Sequence, residues 1–127
     1  MKEPVSSKRD IARELARKYS TMTHDELDLL EGILKPMKFK KGETILKTGE
    51  ICRNIYYIDR GLIRQYYYKY DKDLTEHIGY ENGMIICIES YFKQEPTRLM
   101  VETLEASVVW ELPRVEVEKL IDQYHDI

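Results

Sequence analysis

The chain has little of what marks the specialised protein classes. Only two of its 127 residues are cysteines, Cys52 and Cys87, and they form no CxxC. Neither a zinc site nor a disulfide framework is signalled. No apolar run approaches the ~20 residues of a membrane-spanning helix. The start, Met1-Lys2-Glu3-Pro4, is polar and lacks a signal-peptide core. An excess of one charge is also missing: 20 Lys and Arg stand against 23 Asp and Glu, net −3. That balance argues against a free-standing nucleic-acid binder, which carries basic excess. No Ser/His/Asp arrangement, phosphate loop, catalytic carboxylate pair, internal repeat or low-complexity segment is visible. What remains is a chain 43% hydrophobic and 34% charged. It has enough apolar residues for one core and too even a charge for disorder. These features predict one soluble, cytoplasmic domain with no membrane partner.

The charge is unevenly placed. Residues 1–30 are neutral, 31–72 carry net +5 and 73–127 net −8. Solvated faces of one globule account for this, and a partner surface on one half is the functional alternative.

Periodicity divides the chain. Ile11, Leu15 and Tyr19, flanked by Ala12 and Ala16, form one helical stripe. Thr23-His24-Asp25-Glu26 has the form of a capping box, followed by the stripe Leu27, Leu30, Ile33 and Leu34. Pro36 should stop this helix, because the residue before a proline avoids the helical region. From Met37 the period becomes two. Short segments follow at 44–48, 54–58, 62–70, 74–80, 84–88, 98–104 and 107–112, most bounded by Gly, Asp or Asn. About eight short strands at such spacing predict a sandwich or barrel. After Leu112-Pro113-Arg114 a helical stripe returns: Val117, Leu120, Ile121 and Tyr124. Proline suits a first helical turn. No stop signal precedes Ile127, so the natural chain is expected to continue.

The most specific feature is Lys41-Gly42-Glu43, then Thr48-Gly49-Glu50, then the strand Ile55-Tyr56-Tyr57-Ile58-Asp59-Arg60-Gly61. Each glycine closes a short strand, where a tight turn wants a positive φ. With these turns, the leading helix over 26–34, Asn82-Gly83 and Leu112-Pro113-Arg114, the chain resembles the cyclic-nucleotide-binding superfamily. Within it, residues 23–127 look like the sensor domain of Crp/Fnr-type transcription regulators. The resemblance implies a mainly β fold with flanking helices: a double-stranded β-helix, or jelly-roll-like antiparallel β-roll. It divides the chain into an N-terminal helix (1–22), the β-roll with its leading helix (23–112) and the start of a dimerisation helix (113–127). It implies a homodimer along Val117, Leu120, Ile121 and Tyr124. DNA would be read by a helix-turn-helix domain outside this sequence.

The family grips a cyclic phosphate with a glycine-led short helix, an arginine and a hydroxyl, and a glutamate takes the ribose. Helix amides and a guanidinium suit a phosphate anion. Laid on that pattern without gaps, Gly83 takes the first glycine, and Met84 stands where an aspartate is expected. Cys87 replaces the second glycine, Ile88 the glutamate and Leu99 the hydroxyl residue. Arg98 matches. A one-residue slip would bring Glu89 to the ribose position. Gly83, Ile86, Cys87, Ile88, Glu89, Arg98 and Leu99 are therefore the candidate pocket. Arg98 has a second reading, as a rim residue paired with Glu89, Glu95 or Glu102. Each lost hydrogen bond to a charged group costs ~1.5–3 kcal/mol. The replacements thus argue against cyclic AMP and for a smaller, more apolar or anionic effector, or none.

Other candidates carry less. Cys87 follows Met84-Ile85-Ile86 and reads as a buried small hydrophobe. Cys52 beside Arg53 offers a redox sensor as an alternative to a plain core thiol. His24, His77 and His125 make no His-x-His pair, which a cupin-like metal enzyme, the rival reading of this barrel, would need. A third reading is a cyclic-nucleotide module of a channel or kinase regulator. Tyr66, Tyr68 and Tyr70 should share one strand face, with Tyr67 on the other, packing on neighbours rather than stacking on a flat ligand.

Overall fold

The computed structural model describes residues 7–19 and 24–123. Two helices, α1 (Lys8–Tyr19) and α2 (His24–Ile33), lead into eight strands. These are β1 (Lys35–Phe39), β2 (Thr44–Leu46), β3 (Asn54–Arg60), β4 (Leu62–Lys69), β5 (Lys72–Tyr80), β6 (Met84–Ile85), β7 (Met100–Thr103) and β8 (Ser107–Pro113). A short helix α3 (Ile88–Lys93) stands between β6 and β7, and α4 (Arg114–Gln123) follows β8. The expected box at Thr23, Tyr124 and His125 lie outside the described residues, as do the side chains of Ala16, Tyr19 and His24.

The strands form two antiparallel sheets, ordered β1-β8-β3-β6 and β2-β7-β4-β5. The pairs β1–β8, β2–β7, β3–β6 and β4–β5 nest within one another. The chain is one long hairpin with its tip at the β4–β5 turn, rolled so that successive segments alternate between sheets. This is the expected jelly-roll-like β-roll with flanking helices.

Alternation along the strands explains the two cores. Tyr56, Ile58 and Val109 point between the sheets, onto Leu46, Ile63, Ile85, Leu99 and Val101. Tyr57, Trp110 and Leu112 point the other way, onto Ile11, Ala12 and Leu15 of α1, Leu30 of α2, Leu34 and Leu120 of α4. β3 and β8 are thus buried on both faces, which is why they read as nearly unbroken apolar runs. Outside this second core, Arg9 of α1 bridges Asp28 and Glu31 of α2 at 2.7 and 3.1 Å.

The glycine turns have a common construction. Gly42, Gly49 and Gly61 all have positive φ. In the first two, a glutamate carboxylate accepts the amide three residues earlier: Lys40 to Glu43 at 2.6 Å and Lys47 to Glu50 at 2.9 Å. Gly61, at φ +115, is tighter, since an added Cβ would lie 2.7 Å from the Ser107 Cα.

Several sequence expectations are corrected. The strand expected over 84–88 stops at Ile85, and α3 begins at Ile88. Period two over so short an apolar run does not distinguish a strand from a buried helical turn. Pro36 does not merely end a helix, because it sits inside β1. β1 is an edge strand, where a missing N–H is tolerated. Tyr66 and Tyr68 share a face as expected, edge to face at 5.6 Å. Tyr70 does not join them: it lies past the strand, in the β4–β5 turn, at φ 54. At the β5–β6 turn the residue with a left-handed backbone is Asn82, at φ 70.

Candidate functional site

A cavity of about 650 Å³ opens between the β4–β5 side of the roll and α3. Small-molecule sites commonly run ~300–1,000 Å³. Gln65 of β4 and Glu76 and His77 of β5 form one wall. A bulge makes this wall: Gln65 pairs with His77 and Tyr66 with Thr75, which leaves Glu76 as the extra residue. The opposite wall is Met84, Ile86, Cys87 and the first turn of α3, Ile88 to Ser90. The loop from Glu95 to Leu99 closes the third side.

The structure gathers six of the seven candidates: Ile86, Cys87, Ile88, Glu89, Arg98 and Leu99 all line the cavity. Gly83 does not. It serves the β5–β6 turn, where its amide bonds Tyr80 O and its carbonyl accepts the Ile58 amide, both at 2.9 Å. Cys87 and Leu99 are buried, whereas Ile88 is 62% exposed at the rim. Glu89 is exposed at the rim, its carboxylate 3.4 Å from Lys93.

Arg98 makes none of the ion pairs of its second reading, with Glu89, Glu95 or Glu102. Its guanidinium lies 4.5 Å from the centre of the Tyr67 ring. Stacking on the face of a ring holds a cation without neutralising it, so its donors stay open to a ligand. Tyr67 takes the inner face of β4, as strand parity predicts, and packs against the inter-sheet core.

Ser90 ties the walls together. Its hydroxyl donates to Glu95 O at 2.5 Å and accepts the Cys52 amide at 2.8 Å. Gln94, left-handed at the end of α3, sends its side-chain amide to Cys52 O and Tyr91 O at 3.0 and 2.7 Å. Thr97 exchanges backbone hydrogen bonds with the Gly49 turn, 2.8 Å each. The pocket rim and the glycine turns are therefore one hydrogen-bonded unit.

Both cysteines are free, and both are buried in the inter-sheet core. A side-chain hydrogen bond from Cys87 holds the Cys52 thiol below the ordinary thiol range, with burial opposing. The same bond, helped by burial, pushes Cys87 up. Gln65 Nε2 lies 3.7 Å from the Cys87 sulfur.

A path leads from the pocket to α4. Tyr91, buried on α3, lies under the Arg114 guanidinium at 5.9 Å, and the Arg114 amide donates to Arg53 O at 2.8 Å. Within α4, Leu120 is buried against the chain's own core and Val117 packs beside it, whereas Ile121 is 40% exposed. The expected dimer stripe is thus divided between the domain itself and solvent.

Sequence reasoning missed Gln65, Glu76, His77, Ser90 and Thr97 as pocket residues. Only the bulge and the packing of α3 bring them in, and nothing local in the sequence marks either. Among the described residues, no three or more His, Cys, Asp or Glu stand where they could hold a metal. No helix there is long and apolar enough to cross a membrane.

Comparison with known proteins agrees with this geometry. The cyclic nucleotide-binding domain family matches residues 36–124. No curated protein matches the chain at a significant level. Among solved structures, the regulatory domain of Toxoplasma gondii PKA with cAMP superposes with a TM-score of 0.78 at 12% identity, over 94% of this chain and 46% of that one. The sensor domain of the transcriptional regulator DNR from Pseudomonas aeruginosa gives 0.76 at 11%, over 93% and 81%. The Thermus thermophilus catabolite activator protein gives 0.71 at 15%, over 81% and 48%. The chain spans about half the length of the Toxoplasma and Thermus chains. At such identities the likeness is one of fold. With the β-roll, the pocket under α3 and the match over most of its length, the chain belongs to the cyclic nucleotide-binding domain family.

Proposed function

We propose that this domain is the effector-sensing, non-catalytic part of a Crp/Fnr-type transcription regulator of the cytoplasm, with a pocket diverged away from cyclic nucleotides. The observation that carries the reading is Arg98, stacked on Tyr67 without an acidic partner at a cavity whose other family contact positions are apolar. Leu99 has no hydroxyl to offer a phosphate oxygen, and Ile88 has no carboxylate for a ribose. Three glutamates, Glu76, Glu89 and Glu95, line the same cavity and oppose an anionic ligand further.

Magnitudes decide the outcome. Two or three lost hydrogen bonds to charged groups are worth about 3–6 kcal/mol, or two to four decades of affinity. Arg98 alone retains an anion without selecting a nucleotide. A small, mostly apolar effector suits the lining better. Its arrival would shift α3, and Tyr91 would pass that shift to Arg114 and the head of α4. In the regulator, α4 would continue as the helix that joins two copies and positions two DNA-reading domains.

Isothermal titration with cyclic AMP and cyclic GMP tests the pocket. We expect no saturation in the micromolar range. A dissociation constant at or below micromolar would overturn the reading and point to Glu89 as the ribose contact. Ultracentrifugation and operator binding of the chain extended past Ile127 test the regulator context. A persistent monomer with no DNA affinity would contradict it.

A further inference from the structure

The two cysteines lie 35 positions apart in the sequence, yet the fold brings them to one place. Tyr56 pairs with Ile85 and Tyr57 with Met84. Cys52 lies two residues before β3 and Cys87 two residues after β6, at the same end of this antiparallel pair. The Cys52 thiol, in turn, reaches Asn54 O at 3.3 Å. The Cys52 amide and carbonyl are held by the side chains of Ser90 in α3 and Gln94 at its end, and Cys87 immediately precedes α3. Both side chains belong to the inter-sheet core. Cys87 also lines the cavity, so a small peroxide that enters the pocket arrives beside the pair. The chain has no other cysteine.

We propose that Cys52 and Cys87 form a reversible dithiol–disulfide pair, oxidised by a hydroperoxide, that cross-links the segment entering β3 to the wall of the pocket. Cys52, whose thiol is held low beside Cys87, is the one that ionises and attacks, while Cys87 keeps its proton for the second step. Attack of the Cys52 thiolate on one peroxide oxygen breaks the O–O bond and leaves a sulfenic acid on Cys52. The other oxygen takes the proton Cys52 released and leaves as water from hydrogen peroxide, or as an alcohol from an organic hydroperoxide. The Cys87 sulfur then displaces the sulfenic hydroxyl, which leaves as water with the Cys87 proton, and the S–S bond closes. Two thiols lose two electrons and their two protons, and one peroxide is reduced.

The cross-link reaches beyond the pocket. Arg53, next to Cys52, accepts the first amide of α4 through its carbonyl, so the bond would join the cavity wall to the head of that helix. A thiol reductant restores the open pair.

The test uses the full 127-residue chain, reduced, freed of reductant and exposed to hydrogen peroxide in small excess. We expect its intact mass to fall by about 2 Da, the two hydrogens of a disulfide. A non-reduced digest should show one peptide pair joined through Cys52 and Cys87, and dithiothreitol should reverse the change. Cys52→Ser and Cys87→Ser should each abolish the mass loss. Unchanged mass, gain of oxygen without a joined peptide pair, or disulfide-linked dimers would each overturn the proposal. The digest of the unsubstituted chain decides the matter even if a variant fails to fold.

Discussion

Restoring two side chains should restore nucleotide binding, and the structure says at what cost. In the variant Ile88→Glu, Leu99→Ser, Ile88 is 62% exposed at the cavity rim, so a glutamate there leaves stability within about 0.5 kcal/mol. Leu99 is 8% exposed and belongs to the inter-sheet core. Truncating a buried leucine costs roughly 2–5 kcal/mol, a large share of the ~5–15 kcal/mol of a whole domain. The backbone at Leu99 should stay in place, because its amide is held by the Thr97 hydroxyl at 3.0 Å. Cys87 is left alone, since its side chain is core. Two regained hydrogen bonds to charged groups are worth about 3–6 kcal/mol, so affinity for cyclic AMP should rise by two to four decades. Calorimetric titration reads the gain, and urea unfolding confirms that the variant is folded. Ile88→Glu, Leu99→Ala controls for added room, because it opens the same space without a hydroxyl. If the folded double variant binds within about threefold of the parent, lost hydrogen bonds are not what excludes the nucleotide. If the alanine control gains as much, space rather than chemistry was limiting.

Helix α4 gives a sharper contrast between neighbours. Leu120→Ala should lower the unfolding free energy by about 2–4 kcal/mol, and Ile121→Ala by about 0.5 or less, because only Leu120 is buried against the domain's own core. Equal losses in urea denaturation would show that α4 is held by something other than its own sheet. Glu111 gives a pH dependence. Burial pushes its carboxyl above the ordinary range, with Lys35 across the ladder partly opposing. The folded chain therefore holds that proton more tightly than the unfolded chain, and the contribution is present in acid and lost as pH rises through the folded value. Glu111→Gln should be the more stable protein at neutral pH, with the difference closing as pH falls into the carboxylate range. Urea midpoints across that range check it, and a difference that widens in acid would refute the sign.

Much of this protein was legible along the chain because its signals are local. Gly42, Gly49 and Gly61 mark turns whatever surrounds them, since a positive φ is a property of the residue's own backbone. The alternation of Tyr56, Tyr57 and Ile58 between two cores follows from strand geometry alone, as does the opposite facing of Tyr66 and Tyr67. Resemblance to a known family supplied the roll that joins these pieces. Tertiary structure decided what depends on distant partners. The run 84–88 became half strand and half helix because α3 docks through Ser90 and Gln94 onto Cys52, 38 and 42 residues away. Arg98 stacks on Tyr67 because the rolled hairpin sets β4 beside the loop before β7. Leu120 and Ile121, neighbours on one predicted stripe, were separated because successive helical residues point about 100° apart and only Leu120 faces the domain's own core. Cys52 and Cys87 carry no motif in the sequence, and only the pairing of β3 with β6 makes them a pair.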